Sequence, residues 1–98
     1  MGITAEERHF IRHALGLTRQ KVGYRNFYRA GGDSVHVGRS LVRKGMAIEL
    51  PPSDGLPPEP LFLISSAGFR AAAKQGEMMD KEEAQKMQRI DQRAYVGA

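Results

Sequence analysis

"DSVHVGRSLVRKGMAIEL", residues 33–50, changes its period in the middle. Up to Lys44 the apolar residues recur at helical spacing. Val35, Val37, Gly38, Leu41 and Val42 fall on one side of a helical wheel. His36, Arg39, Ser40 and Arg43 fall on the other, with Lys44 at the border. Asp33 or Ser34 can cap such a helix, worth about 1 kcal/mol against alanine, and Gly45 stands where a C-terminal glycine belongs. After Gly45 the pattern alternates, with Met46, Ile48 and Leu50 on one face as in a strand. The stretch predicts a helix over 34–44 that turns straight into a strand over 46–50.

Working outward, all five prolines lie in "PPSDGLPPEP", residues 51–60. Proline serves neither a helix interior nor a central strand, so this is an extended loop. Leu61-Phe62-Leu63-Ile64 reads as a buried strand, and two strands around one loop predict a hairpin. Ser65 or Ser66 can start a further helix through Ala67, Phe69, Ala71, Ala72 and Ala73, ending near Gly76. Asp80-Lys81-Glu82-Glu83 looks like one more helix start. Its stripe, Ala84, Met87, Ile90 and Ala94, is thin. The sequence therefore divides into a domain over 1–76 and a helical or partly disordered tail over 77–98.

Toward the N-terminus, Thr4-Ala5-Glu6-Glu7 has the spacing of a capping box. Phe10, Ile11, Ala14 and Leu15 follow as a helical stripe that Gly16 can end. Thr18 can cap a short second helix, which Gly23 weakens. Tyr24, Phe27 and Tyr28 are expected to pack inward, and Ala30-Gly31-Gly32 breaks the chain. The resulting order is helix, short helix, helix, hairpin, helix: an α+β domain of winged-helix type with 51–60 as the wing.

Composition limits what such a domain can do. With 98 residues there is room for one modest core. No cysteine excludes a disulfide scaffold and a zinc finger, and fits the cytoplasm. The longest apolar run, Leu61–Ile64, is far too short for a membrane span or secretory signal. Charge is uneven. Residues 19–44 hold Arg19, Lys21, Arg25, Arg29, Arg39, Arg43 and Lys44 against the single acid Asp33. A basic block of this kind suits a polyanion.

Catalytic patterns are lacking: there is no Gly-x-Ser-x-Gly and no phosphate-binding loop of Walker type. Asp33, Ser34 and His36 are sequence neighbours, too close to orient one another as a triad. His9 and His13, four apart on one helix, could reach one ion, but no third ligand stands near, so no metal or other cofactor is expected. The expectation is a protein that is not an enzyme. In a helix-turn-helix arrangement the 34–44 helix would enter the major groove of double-stranded DNA. Arg39 and Arg43 would make the main contacts, His36, Ser40 and Lys44 would assist, and Arg25 and Arg29 would hold the backbone. The rival is a protein-interaction or assembly module that meets a partner, or itself, through the C-terminal helix.

Two resemblances bear on this. Leu15-Gly16-Leu17, Asn26-Phe27, Gly31-Gly32-Asp33-Ser34-Val35 and Glu49-Leu50-Pro51 resemble thiolation carrier domains. That likeness implies a four-helix bundle with phosphopantetheine on Ser34. Against the family's pattern, basic residues follow the serine and strands replace helix over 46–64. "RHALGL" (12–17), "YRNFYRAGG" (24–32), "LVRKGMA" (41–47) and "LFLISSAGFRAA" (61–72) together resemble small, largely uncharacterised phage and prophage proteins. Tyr24, Arg25, Asn26, Leu41, Val42, Gly45 and Gly68 carry this likeness, which spans roughly residues 8–73. It implies a phage or prophage origin and no particular activity.

Overall fold

The computed structural model describes residues 2–52, 54–55 and 57–97. In chain order these form α1 (Ala5–Leu15), β1 (Val22–Gly23), β2 (Tyr28–Arg29), α2 (Ser34–Arg43), β3 (Ala47–Leu50), β4 (Leu61–Ile64), α3 (Ser66–Ala72), β5 (Met78–Met79) and α4 (Lys81–Gly97). The chain is an α+β fold.

The hairpin forms in one register. Ala47 faces Ile64, Ile48 faces Leu63, Glu49 faces Phe62 and Leu50 faces Leu61 in antiparallel pairing. The short β2 adds to the other edge of β4, giving the order β2-β4-β3. Of the proline-rich loop between the strands, Ser53 and Leu56 lie outside the described residues, as does Ala98 at the end of the C-terminal segment.

Side chains alternate across a sheet, so Phe62 and Ile64 share one face and Leu63 and Ile48 the other. The first face carries α1 and α2. The Phe10 ring meets Phe62 edge-on at 5.6 Å and stacks on Tyr28 at 4.2 Å. Gly38 lets α2 come this close: a Cβ there would lie 2.6 Å from the Phe62 ring. The second face is covered by α4, whose Ile90 lines one cavity with Ile48 and Leu63. Met87, Ile90 and Ala94 are buried in the same core as Phe10, Ile11, Leu15 and Leu41. The segment 77–97 thus shares one core with residues 1–76.

Polar side chains tie the layers. Asn26 replaces a strand at the end of β2: its amide donates to Ile64 O at 2.8 Å, and its carbonyl oxygen accepts from Ile64 N–H at 2.7 Å. Arg12 of α1 donates to Ala72 O at the end of α3, to Leu17 O and to both Glu77 oxygens. Asp91 of α4 accepts from the Ser66 amide at 2.7 Å and its hydroxyl at 2.6 Å, at the head of α3.

Three expectations are corrected. No helix forms over 18–32. That segment runs as loop, β1, loop and β2, so only one helix precedes α2 among the described residues. Its backbone groups are needed elsewhere: Tyr24 and Phe27 N–H donate to Leu15 O and Ala14 O, the open carbonyls at the end of α1. In consequence Tyr24 and Phe27 face outward, 54% and 51% exposed, and only Tyr28 of the three aromatics packs inward. Finally, neither Asp33 nor Ser34 caps α2 through its side chain; Asp33 is the N-cap residue but adopts a helical backbone and makes no cap bond.

Candidate nucleic-acid interface

α2 is set by its two ends. At its start the Gly31-Gly32 turn takes over the capping role, with Ser34 N–H donating to Gly31 O and Val35 N–H to Gly32 O. At its end Gly45, at φ +73°, closes a Schellman motif. Met46 N–H donates to Leu41 O and Gly45 N–H to Val42 O. This left-handed residue aims the chain directly into β3.

Its faces separate as the sequence pattern predicts. Gly38 and Leu41 are buried, while His36, Arg39 and Arg43 are exposed. The seven residues singled out for DNA do not, however, act as one group. Lys44 Nζ lies 2.7 Å from Glu7 Oε1 and 2.9 Å from Oε2, and Ser40 Oγ donates to Oε2 at 2.7 Å. Glu7 is 3% exposed. Burial alone would raise its carboxyl. Hydrogen bonds from Lys44, Ser40 and the Thr4 capping box, with the Lys44 charge, outweigh burial and hold it at about 2. Ser40 and Lys44 therefore fasten α2 to the head of α1.

Arg39 reaches across to β3, bonding Glu49 with Nε at 3.1 Å and Nη2 at 3.2 Å. The pair is open to solvent, and the Glu49 carboxylate raises the Arg39 guanidinium further. Arg25 caps α1, donating to His13 O at 2.7 Å from the negative end of the helix dipole. Its guanidinium lies over the rings of Tyr24 and Phe27, at 5.4 and 5.8 Å. Arg29 donates to Glu59 O at 3.3 Å in the hairpin loop. Arg43 and His36 make no side-chain hydrogen bond or ion pair with the described residues.

His9 and His13 stack at 6.3 Å, and His13 packs edge-on against Tyr28 at 5.1 Å. Desolvation, then the charges of Arg25 and His9, lower its pKa. No group of three potential metal ligands gathers among the described residues, and no helix among them is long and apolar enough to cross a membrane.

The features that residue patterns did not reveal are long-range. The Thr4–Glu7 capping box is visible in the sequence and present in the structure. That Glu7 also receives Lys44, 37 residues on, is not a local signal. Nor is the Arg12–Glu77 pair, 65 residues apart. Comparison with protein-family models, curated proteins and solved structures finds no match.

Proposed function

We propose that this chain is a non-catalytic nucleic-acid-binding domain, of phage or prophage origin, that meets double-stranded DNA with the outer face of α2. The observation that carries this is the exposed row His36, Arg39 and Arg43 on a helix whose other side is anchored in the core. We read the fold as winged-helix-like: β2-β4-β3 lies beside α2, and the proline-rich loop occupies the wing's place. It departs from a helix-turn-helix in lacking the short second helix, so α1 and α2 are joined by a long irregular segment rather than a tight turn.

Arg39 and Arg43 are the direct contacts and His36 assists. Lys44 and Ser40 fasten one flank of that face to Glu7 of α1. The assembly rival is less well served, because the apolar stripe of α4 is already buried within the chain. A phosphopantetheine on Ser34 would require carrier helices where β3 and β4 stand.

The test is duplex binding followed by fluorescence anisotropy across a salt series. Two phosphate contacts imply a log–log slope no steeper than about −2, at roughly 0.9 per phosphate, and closer to about −1 while Glu49 holds Arg39. An Arg39→Ala, Arg43→Ala variant should retain its fold and lose most of the affinity. Absence of duplex binding at low salt, or an unchanged double variant, would remove this reading.

A further inference from the structure

Four large apolar side chains are exposed among the described residues: Val22 (41%), Tyr24 (54%), Phe27 (51%) and Met78 (60%). They belong to one stretch of chain and the strand it pairs with, since Val22 faces Met78 in the β1–β5 pair. An apolar cluster of this kind is more informative than an isolated exposed leucine.

The cluster is rigidly held. The amides of Tyr24 and Phe27 bond to α1 carbonyls at 3.2 Å each. Arg25 between them is fixed on His13 O, and Asn26 is fixed on both polar groups of Ile64. The Tyr24 ring also lies against Gly16, where a Cβ would come within 2.3 Å of it. The backbone that carries both rings, and the guanidinium over them, is therefore held by the fold, which lowers the entropic cost of using them.

Charge indicates the occupant. Residues 16–32 contain Arg19, Lys21, Arg25 and Arg29 and no acid. Arg19 and Lys21 are exposed and enter no ion pair among the described residues. Acids stand on either side of β5, among them Glu77, Asp80 and Glu83, the last lining a cavity with Asn26 and paired with Lys86. Glu77 is neutralised by Arg12, whereas Asp80, whose N–H donates to Gly23 O, is exposed and keeps its charge while accepting from the Glu82 amide at the head of α4. The segment that carries the rings has only positive charge, four cations against no acid. Aromatic rings that bases can stack on, interleaved with cations for the backbone, match the chemistry of an unpaired strand. We infer that Tyr24, Arg25 and Phe27 form a stacking platform for single-stranded nucleic acid, with Arg19 and Lys21 at its phosphates. This deepens the nucleic-acid reading of α2 and rests on its polyanion premise, but uses different residues.

The experiment measures anisotropy with the full chain and two labelled probes: oligothymidine of about fifteen nucleotides and a mixed-sequence duplex of equal length. Tyr24→Leu, Phe27→Leu keeps apolar volume and removes both rings. It should weaken oligothymidine binding about tenfold or more and leave duplex binding within about twofold. Arg39→Ala, Arg43→Ala should do the reverse. Tyr24→Phe, Phe27→Tyr retains two rings and should bind oligothymidine like the parent, whatever the leucine pair does to the fold. Loss of single-strand binding in the leucine pair, with the α2 pair inert on duplex, would sustain the platform and sink the α2 reading. Two outcomes would overturn the platform: duplex binding with no binding of oligothymidine, or oligothymidine binding that ignores the leucine pair. A change in sedimenting mass in that pair, without a change in oligothymidine affinity, would mark a protein contact and overturn it equally.

Discussion

Lys44 Nζ and Glu7 Oε1 stand 2.7 Å apart, joining the last turn of α2 to the first turn of α1. The same carboxylate takes the Ser40 hydroxyl and the Thr4 amide, so its three donors, making four hydrogen bonds, come from both helices. Removing one member of a buried pair leaves the other charge unpaired, which costs about 3–5 kcal/mol. Lys44→Met should therefore lower the urea-unfolding free energy by roughly that amount. Glu7→Gln with Lys44→Met should recover a substantial part of the loss. Additive losses in that double-mutant cycle would show that the two residues do not depend on each other.

Acid should weaken the fold in a defined window. Glu7 and Glu77 are both held at about 2 against an ordinary 4.5. For Glu77 the leading cause is the hydrogen bond from Arg12, opposed by burial and helped by the Lys74 amide. A carboxyl whose folded pKa lies below its unfolded value adds stability that is complete above the unfolded value. That contribution disappears as pH falls through the folded value. The urea midpoint should drop steadily from about pH 4.5 to about pH 2. In Glu77→Gln the chain should be less stable at neutral pH and its acid slope shallower. A midpoint flat over that interval would contradict both assignments.

Local signals made most of the fold legible, and long-range ones account for the rest. Thr4 with Glu7, Gly45 after Lys44, the period change at Met46 and the cap at Ser65 each act within a few residues, and each forms. Apolar periodicity placed Leu41 and Gly38 inward and His36, Arg39 and Arg43 outward. Tyr24 and Phe27 were misplaced because aromatic character suggests burial, whereas their backbone amides are required at the end of α1. The thin stripe Met87, Ile90 and Ala94 is sufficient for docking because Asp91 adds two bonds to Ser66, 25 residues away. Of the candidate interface, the helix and its face were readable. Which cations it keeps free depends on Glu7 and Glu49, and only the folded chain decides that.

α4 should be indispensable to the fold. Deleting residues 77–98 removes Met87, Ile90 and Ala94 from the core, Glu77 from Arg12 and Asp91 from Ser66. The remaining chain should show no cooperative urea transition. Asp91→Ala alone should cost about 1–2 kcal/mol, as loss of a helix cap does. Gln92→Ala, on the exposed side, should stay within about 0.5 kcal/mol of the parent. A cooperative fold in residues 1–76 would show α4 to be an accessory element.

Glu49 offers a gain-of-affinity test of the α2 interface. Its carboxylate holds Arg39 at 3.1 and 3.2 Å on a surface open to solvent. A phosphate approaching Arg39 must displace that carboxylate and also meets its charge. Exposed pairs of this kind contribute at most about 1 kcal/mol to stability, so Glu49→Gln should leave the unfolding midpoint nearly unchanged. Removing one negative charge a few ångströms from a bound phosphate should raise duplex affinity about threefold at low salt, with less gain at high salt. The log–log salt slope should steepen by up to about 0.9, one phosphate's worth, as Arg39 becomes available. Arg43→Ala should change it by a similar amount in the opposite direction. The leucine pair at Tyr24 and Phe27 should leave this gain intact, since it acts on another surface. If Glu49→Gln binds duplex no better than the parent, and with the same slope, Arg39 is not at the phosphates and the outer face of α2 is not the interface.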